Sequence, residues 1–187
     1  GHSAVEVART ALQNGATALG VARVEEGLTL REAGIRAPIL VMGYTPASRA
    51  DQLLEHDLTP SVYSVRNASE LAQAATARRR SLGIHIKIDT GMGRLGIQAD
   101  SLRPLDAQGA TAEILQIARM PGLELKGIFT HFATADDADK TFARCQFTRF
   151  LDLLSQLDAA GLPKVVRHAA NSGAIIDMPE THLDMVR

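Results

Sequence analysis

A single cysteine, Cys145, is all the 187-residue sequence has, so no internal disulfide framework exists and a reducing compartment suits the chain. Charge of one sign is also missing. Twenty Lys and Arg against 21 Asp and Glu leave a net charge of −1, which gives no electrostatic footprint for nucleic acid or for an anionic membrane surface. The one basic cluster, Arg78-Arg79-Arg80, follows an Ala-rich helical segment and reads as a solvated helix end. No apolar run approaches the ~20 residues of a membrane span, and no signal peptide opens the sequence. H-x-x-H, C-x-x-C and acidic-triad spacings are absent, so no metal site is expected. Low-complexity tracts and linkers are lacking too, which leaves one domain over residues 1–187.

What is there alternates. Short apolar segments at 18–22 (ALGVA), 39–43 (ILVMG), 61–64 (SVYS), 83–88 (GIHIKI), 123–133 (LELKGIFTHFA), 165–172 (VVRHAANS) and 181–187 (THLDMVR) read as seven strands. Amphipathic helical patterns lie between them: 4–14, 25–34, 48–57, 68–80 with Asn67 or Ser69 as cap, 112–120 and 146–161. Strands alternating with helices mean a parallel sheet covered by helices. Seven such units, with no G-x-G-x-x-G in the first, fit a (β/α)8 TIM-type barrel lacking its first strand better than an open dinucleotide-binding sheet.

In such a barrel the functional groups collect at the carboxyl ends of the strands. The run 84–89, IHIKID, sets Ile84, Ile86 and Ile88 on one face and His85, Lys87 and Asp89 on the other, so Lys87 points into the lumen near its strand's end. His131, Asn171, Ser172 and Arg187 stand at the ends of three other strands, and Arg94 follows a Gly-rich turn. Each has a plainer reading alone: His131 as a satisfied core histidine, Ser172 as a helix cap, Arg94 as a surface arginine. Their shared placement at strand ends points instead to an anion-binding rim. Ser172-Gly173 before a helix can offer a hydroxyl and N–H groups to a phosphate. Arg187, a permanent cation, can donate to a ring nitrogen or a carboxylate. Arg94 follows a turn whose glycines let the backbone come close to a ligand, and a phosphorylated heterocyclic cofactor would use all three.

The segments KIDTGMGRLGI (87–97), THFATAD (130–136), RHAANSGAI (167–175) and LDMVR (183–187) resemble, in order, the successive motifs of the alanine racemase family. The opening GHSAVEVARTAL resembles the stretch that follows that family's cofactor lysine in a K-A-x-A-Y-G-H-type motif, with Ser3 where glycine is more usual. The resemblance implies pyridoxal 5′-phosphate as cofactor, alanine as substrate and a bacterial, cytoplasmic homodimer supplying D-alanine for peptidoglycan. It implies that Arg94 binds the cofactor's phenolic oxygen and orients the substrate carboxylate, and that Lys87 is carbamylated and holds Arg94. Arg187 would face the pyridine nitrogen with His131 behind it; Ser172 would bind the phosphate, with Asn171 lining the site. The family's two bases, the cofactor lysine and a tyrosine from the partner subunit's C-terminal β-domain, match nothing among Lys87, Lys126, Lys140 and Lys164 or the two tyrosines. Residues 1–187 alone are therefore expected to be inactive. A serine-type or other amino-acid racemase and a non-catalytic pyridoxal-phosphate-binding barrel are the alternatives on the same scaffold; a metal-dependent aldolase-type barrel is disfavoured by the missing ligands.

Overall fold

The computed structural model describes residues 2–99 and 109–187; Gly1 of the Gly1-His2 pair lies outside them. After α1 (Ala4–Gln13) the chain alternates through β1 (Leu19–Val21), α2 (Val24–Glu32), β2 (Ile39–Val41), α3 (Ala50–Glu55), β3 (Leu58–Val62), α4 (Val65–Ala77) and β4 (Leu82–Asp89). It continues through β5 (Ile97–Gln98), α5 (Gly109–Ala118), β6 (Leu123–Phe129), α6 (Thr141–Ala159), β7 (Val166–His168) and α7 (Ser172–Asp177). The strands pair in parallel in the order β1-β2-β3-β4-β6-β7, and β5 pairs with the end of β4. This is the parallel arrangement of a partial (β/α) barrel, with strand neighbours in sequence order.

Alternation along β4 sorts its two faces. Ile84, Ile86 and Ile88 are fully buried in the apolar cluster that also holds Leu71 and Ala75 of α4, Ile114 and Ile117 of α5 and Leu153 and Leu157 of α6. Removing that much aliphatic surface from water stabilises the sheet–helix layer at roughly 25 cal/mol per Å². The opposite face carries His85, Lys87 and Asp89, all buried despite their polarity.

Several expected boundaries move. β3 starts at Leu58 and runs through Pro60, which reads as a breaker in sequence but needs no donor at this register opposite Val41. α4 starts at Val65 because Ser64, in extended conformation, accepts from Asn67 N–H at 3.2 Å; neither Asn67 nor Ser69 is the cap. The expected strand at 181–187 does not form. A 3-10 turn, Pro179–Thr181, and a left-handed Leu183 (φ 49°) turn the chain, and Asp184 takes the Arg167 N–H at 2.9 Å with its side chain. Residues 184–187 still lie beside β7, through one bridge between His168 and Met185 and hydrogen bonds from Asp184 N to Arg167 O and from Arg187 N to Ala170 O. The seventh strand is β5 instead, too short for its two residues to signal a strand.

β5 depends on Gly96. With φ at 142°, a Cβ there would sit 2.4 Å from Asp89 N and 2.7 Å from Ile88 C, so only glycine lets the loop fold back onto β4. Gly96→Ala is expected to lower stability by about 1–3 kcal/mol through strain and overpacking. Urea unfolding of the variant beside the parent measures this; equal midpoints would show that the loop return tolerates a side chain.

Candidate functional site

Register sets the lumen in layers. Lys87, Phe129 and His168 are lateral partners on β4, β6 and β7, and His85 and Gly127 are partners one layer below. Gly127 has no side chain to fill its place, and a Cβ would lie 2.5 Å from His85 Cε1. The imidazole of His85 therefore leans across β6 and brings its Nδ1 within 3.0 Å of His168 Nε2. Phe129 stacks on His168 with centroids 4.6 Å apart and planes at 5°.

Arg187 reaches into this layer from the segment beside β7. Its guanidinium meets His131 Nδ1 at 2.9 Å, Thr130 O at 3.0 Å and His168 Nδ1 at 3.3 Å, and it lies 5.1 Å from the Phe129 centroid. Arginine can only donate, so His131 and His168 must each accept at Nδ1 and, when neutral, carry the proton at Nε2. His168 Nε2–H then donates to His85 Nδ1, which fixes the His85 proton on Nε2 as well. One cation thus sets the tautomers of three rings.

Burial agrees with that pattern. Desolvation, with Arg187, Lys87 and Arg94 adding, pushes His131 down to about 4, and desolvation pushes His85 down to about 4. His168 is held far below the ordinary histidine range by burial, then by His85 and Arg187. Burial also lowers Arg187, to about 10, which leaves it a cation at neutral pH.

Lys87 is 5% exposed, with Nζ 5.9 Å from the Phe129 centroid on which Arg187 also lies. Burial, then repulsion by Arg94 and Arg187, lowers its amine to about 8, against a smaller opposing pull from Asp89. The Asp89 carboxylate turns to the loop: Oδ1 accepts from Gly91 N–H at 3.0 Å and Gly93 N–H at 3.1 Å, fixing the turn that carries Arg94. Arg94 itself is exposed on that turn, near enough for its charge to act on both Lys87 and His131.

Asn171 and Ser172 open α7. Asn171 is its cap, with Oδ1 accepting from Ala174 N–H at 3.1 Å, so its amide oxygen is committed to the helix. Ser172 is exposed at the first helical position, and the N–H groups of Ser172 and Gly173 have no intrahelical carbonyl to donate to. A Cβ on Gly173 would meet Ala135 C and O at 2.9 Å and Asp136 N at 3.0 Å, so glycine seats this turn against the loop after His131. Below, a cavity of about 440 Å³ is bounded by Leu19, Leu40, Met42, His85, Val186 and Arg187.

Two groups central to this arrangement were not singled out in sequence. His168 sits mid-motif in RHAANS, three residues before Asn171, and its spacing carries no signal that its ring lines the lumen. Gln146 lies inside a helix, where a polar residue ordinarily reads as solvent-facing, yet it is fully buried. Among the described residues no group of His, Cys, Asp or Glu has metal-binding geometry.

The buried histidines make a pH dependence. Their folded values lie below the ordinary ~6.5, so in the window below 6.5 the unfolded chain binds more protons. Stability is therefore full above pH ~6.5 and falls as pH drops towards the folded values, by up to about 1.4 kcal/mol per pH unit for each histidine. Urea unfolding between pH 6.5 and 5.0 should show this slope, reduced in His85→Gln; a slope that His85→Gln leaves unchanged would contradict the neutral state of that ring.

Comparison with known proteins places the chain in a family. The family described as alanine racemase, N-terminal domain, matches residues 1–187. Alanine racemase of Desulfosudis oleivorans is 53% identical over 188 residues, covering 100% of this chain and 48% of that protein. Alanine racemase 2 of Caldanaerobacter subterraneus is 45% identical, again over 100% of this chain and 46% of its own length. The chain spans about half the length of these curated relatives. Among solved structures, alanine racemase of Clostridium difficile 630 superposes with a TM-score of 0.92 at 36% identity, covering 100% of this chain and 47% of that one. Alanine racemase of Bacillus anthracis with bound L-Ala-P gives 0.89 at 36%, covering 100% and 46%. With a match over every residue and a shared parallel barrel fold, the chain belongs to the alanine racemase family.

Proposed function

We propose that residues 1–187 are part of the cofactor-binding barrel of a pyridoxal 5′-phosphate-dependent enzyme that interconverts L- and D-alanine, acting as a homodimer in the bacterial cytoplasm. The observation that carries the reading is the Arg187 guanidinium, held in the lumen by two neutral histidines and a backbone carbonyl.

The residues fit the cofactor. A glycine-seated helix start with an exposed serine suits a phosphate, since Ser172 can offer its hydroxyl and N–H and Gly173 its N–H, while the Asn171 cap keeps the turn in shape. Bound pyridoxal phosphate would supply an electron sink for the carbanion at the substrate's α-carbon. Arg187 would donate to the ring nitrogen. Its proton is not released at neutral pH, so that nitrogen stays unprotonated and the sink stays weak, which disfavours reactions other than α-proton exchange. His131 and His168 fix the guanidinium through their Nδ1 acceptors, and Arg94 on its turn would bind the phenolic oxygen and the substrate carboxylate.

Lys87 completes the charge balance. With its amine lowered to about 8, a fraction is neutral at physiological pH. That neutral nitrogen can add to the carbon of carbon dioxide, forming an N–C bond and a carboxylate and losing one proton to water. The resulting anion would sit among Arg94 and Arg187 where an ammonium is repelled. Racemisation needs a base on each face of the α-carbon; the resemblance assigns these to the cofactor lysine and the partner subunit's tyrosine, neither of which is among the residues placed here.

Two assays test the reading. Full-length protein with pyridoxal phosphate and L-alanine should form D-alanine well above free cofactor, and no conversion would overturn it. Lys87→Ala should lower kcat/KM by roughly 10–100-fold through misplacement of Arg94, with partial rescue by small carboxylic acids; full activity in Lys87→Ala would remove the lysine from the site.

A further inference from the structure

α6 carries a polar brace that reaches both arms of the site. Gln146, fully buried, donates from Nε2 to His131 O at 3.2 Å and to Thr90 Oγ1 at 3.3 Å, and accepts from Ala133 N–H at Oε1 at 2.9 Å. Thr90 and Thr130 are also fully buried, with hydroxyls 2.8 Å apart, and Thr130 Oγ1 donates to Ile88 O at 3.0 Å. Because the Thr130 proton goes to Ile88, Thr90 must give its own proton to Thr130 and accept from Gln146. Every proton in the cluster is thereby assigned, and an amide is the only side chain of this size with both the donors and the acceptor.

The two ends of this cluster are the roots of the site's two arginine arms. Thr90 lies between Asp89, which fixes the Arg94 turn, and Gly91. His131 holds Arg187 through Nδ1, and its own carbonyl is the group Gln146 grips. α6 also presses on the turn directly. Gly91, at φ 136°, is packed so that a Cβ would sit 3.1 Å from Phe142 Cζ, 3.2 Å from Arg149 NH1 and 3.5 Å from Gln146 Cγ, and Arg149 donates to Thr90 O at 3.0 Å.

We infer that Gln146 is a positioning residue that sets the Arg94 turn relative to the Arg187–His131 pair, locking two strand ends into one geometry from a helix outside the lumen. It touches neither cofactor nor substrate. The functional consequence rests on the racemase reading above, whereas the mechanical one does not: without the amide, the segment at 131–134 loses the Gln146 hydrogen bonds, the turn at residues 90–96 keeps the Arg149–Thr90 bond, and no single side chain of α6 holds the two together. A misplacement of this kind is worth roughly 10–100-fold in rate, and it acts on kcat more than on KM because the arms must align in the transition state.

The test uses the full-length protein and compares Gln146→Met, close in volume, with Leu153→Ala, a packing change on the same helix. Hydrogen exchange without cofactor and alanine racemisation with it are both read. The brace predicts that Gln146→Met speeds exchange selectively at 90–96 and 131–134 and lowers kcat by roughly 10-fold or more, whereas Leu153→Ala loosens α6 without that selective pair. Parental exchange and kcat in Gln146→Met would overturn the proposal. So would exchange raised evenly over the chain, because that is a stability effect only. Should Gln146→Met not fold, Thr90→Val removes one end of the brace and is read against the same outcomes. If the parent itself makes no D-alanine, the racemase reading fails while the exchange pattern still decides the brace.

Discussion

The Arg187 guanidinium among nitrogen acceptors is the interaction on which the lumen depends. A charge in the interior of a sheet is costly unless hydrogen bonds replace its water. Among the described residues no carboxylate neutralises it. Three neutral acceptors, two imidazole nitrogens and the Thr130 carbonyl, solvate it instead, at 2.9 to 3.3 Å. A carboxylate partner would bind more strongly but would cancel the positive field inside the lumen. Neutral acceptors position the cation and leave its field intact, which is the property an electron-poor ring nitrogen or an anion could use.

That choice propagates through the structure. The rings stay neutral because they are buried, His131 and His168 beside a cation as well, and glycine at 127 clears the way for His85. The same field bears on Lys87, whose amine is easier to deprotonate than an ordinary lysine's for reasons of burial first and of Arg94 and Arg187 next. The lumen therefore favours an anion at the position where the sequence places a lysine. Farther out, the Asp89 carboxylate accepts from backbone N–H groups of the Gly-rich turn and acts on Lys87 less than burial, Arg94 or Arg187 does.

Much of this was legible in the order of residues, and the rest was not for identifiable reasons. Alternation in IHIKID reveals the two faces of β4 because the strand period is two and the isoleucines are unambiguous. The Gly-rich turn and the serine-glycine pair announce themselves through backbone chemistry. His168 and Gln146 do not, because their importance comes from partners far away in sequence: Arg187 and His85 for the one, Thr90 and His131 for the other. The end of the chain misled for the opposite reason. THLDMVR has strand-like composition, but Asp184 competes for the ladder with its side chain and only one bridge survives. The placement of Arg187 beside β7 is kept even though the strand is not, since a single backbone bond to Ala170 suffices to aim it.

The protonation state of the histidine chain is the point at which the account can be tested most directly. Nitrogen-15 NMR of histidine-labelled protein, titrated from pH 8 to 5, reports both charge and tautomer for each ring. The account predicts that His85, His131 and His168 remain neutral throughout with the proton on Nε2. A proton on Nδ1 of His131 or His168, or either ring charging above pH 6, would contradict it, because Arg187 would then face a donor where it needs an acceptor.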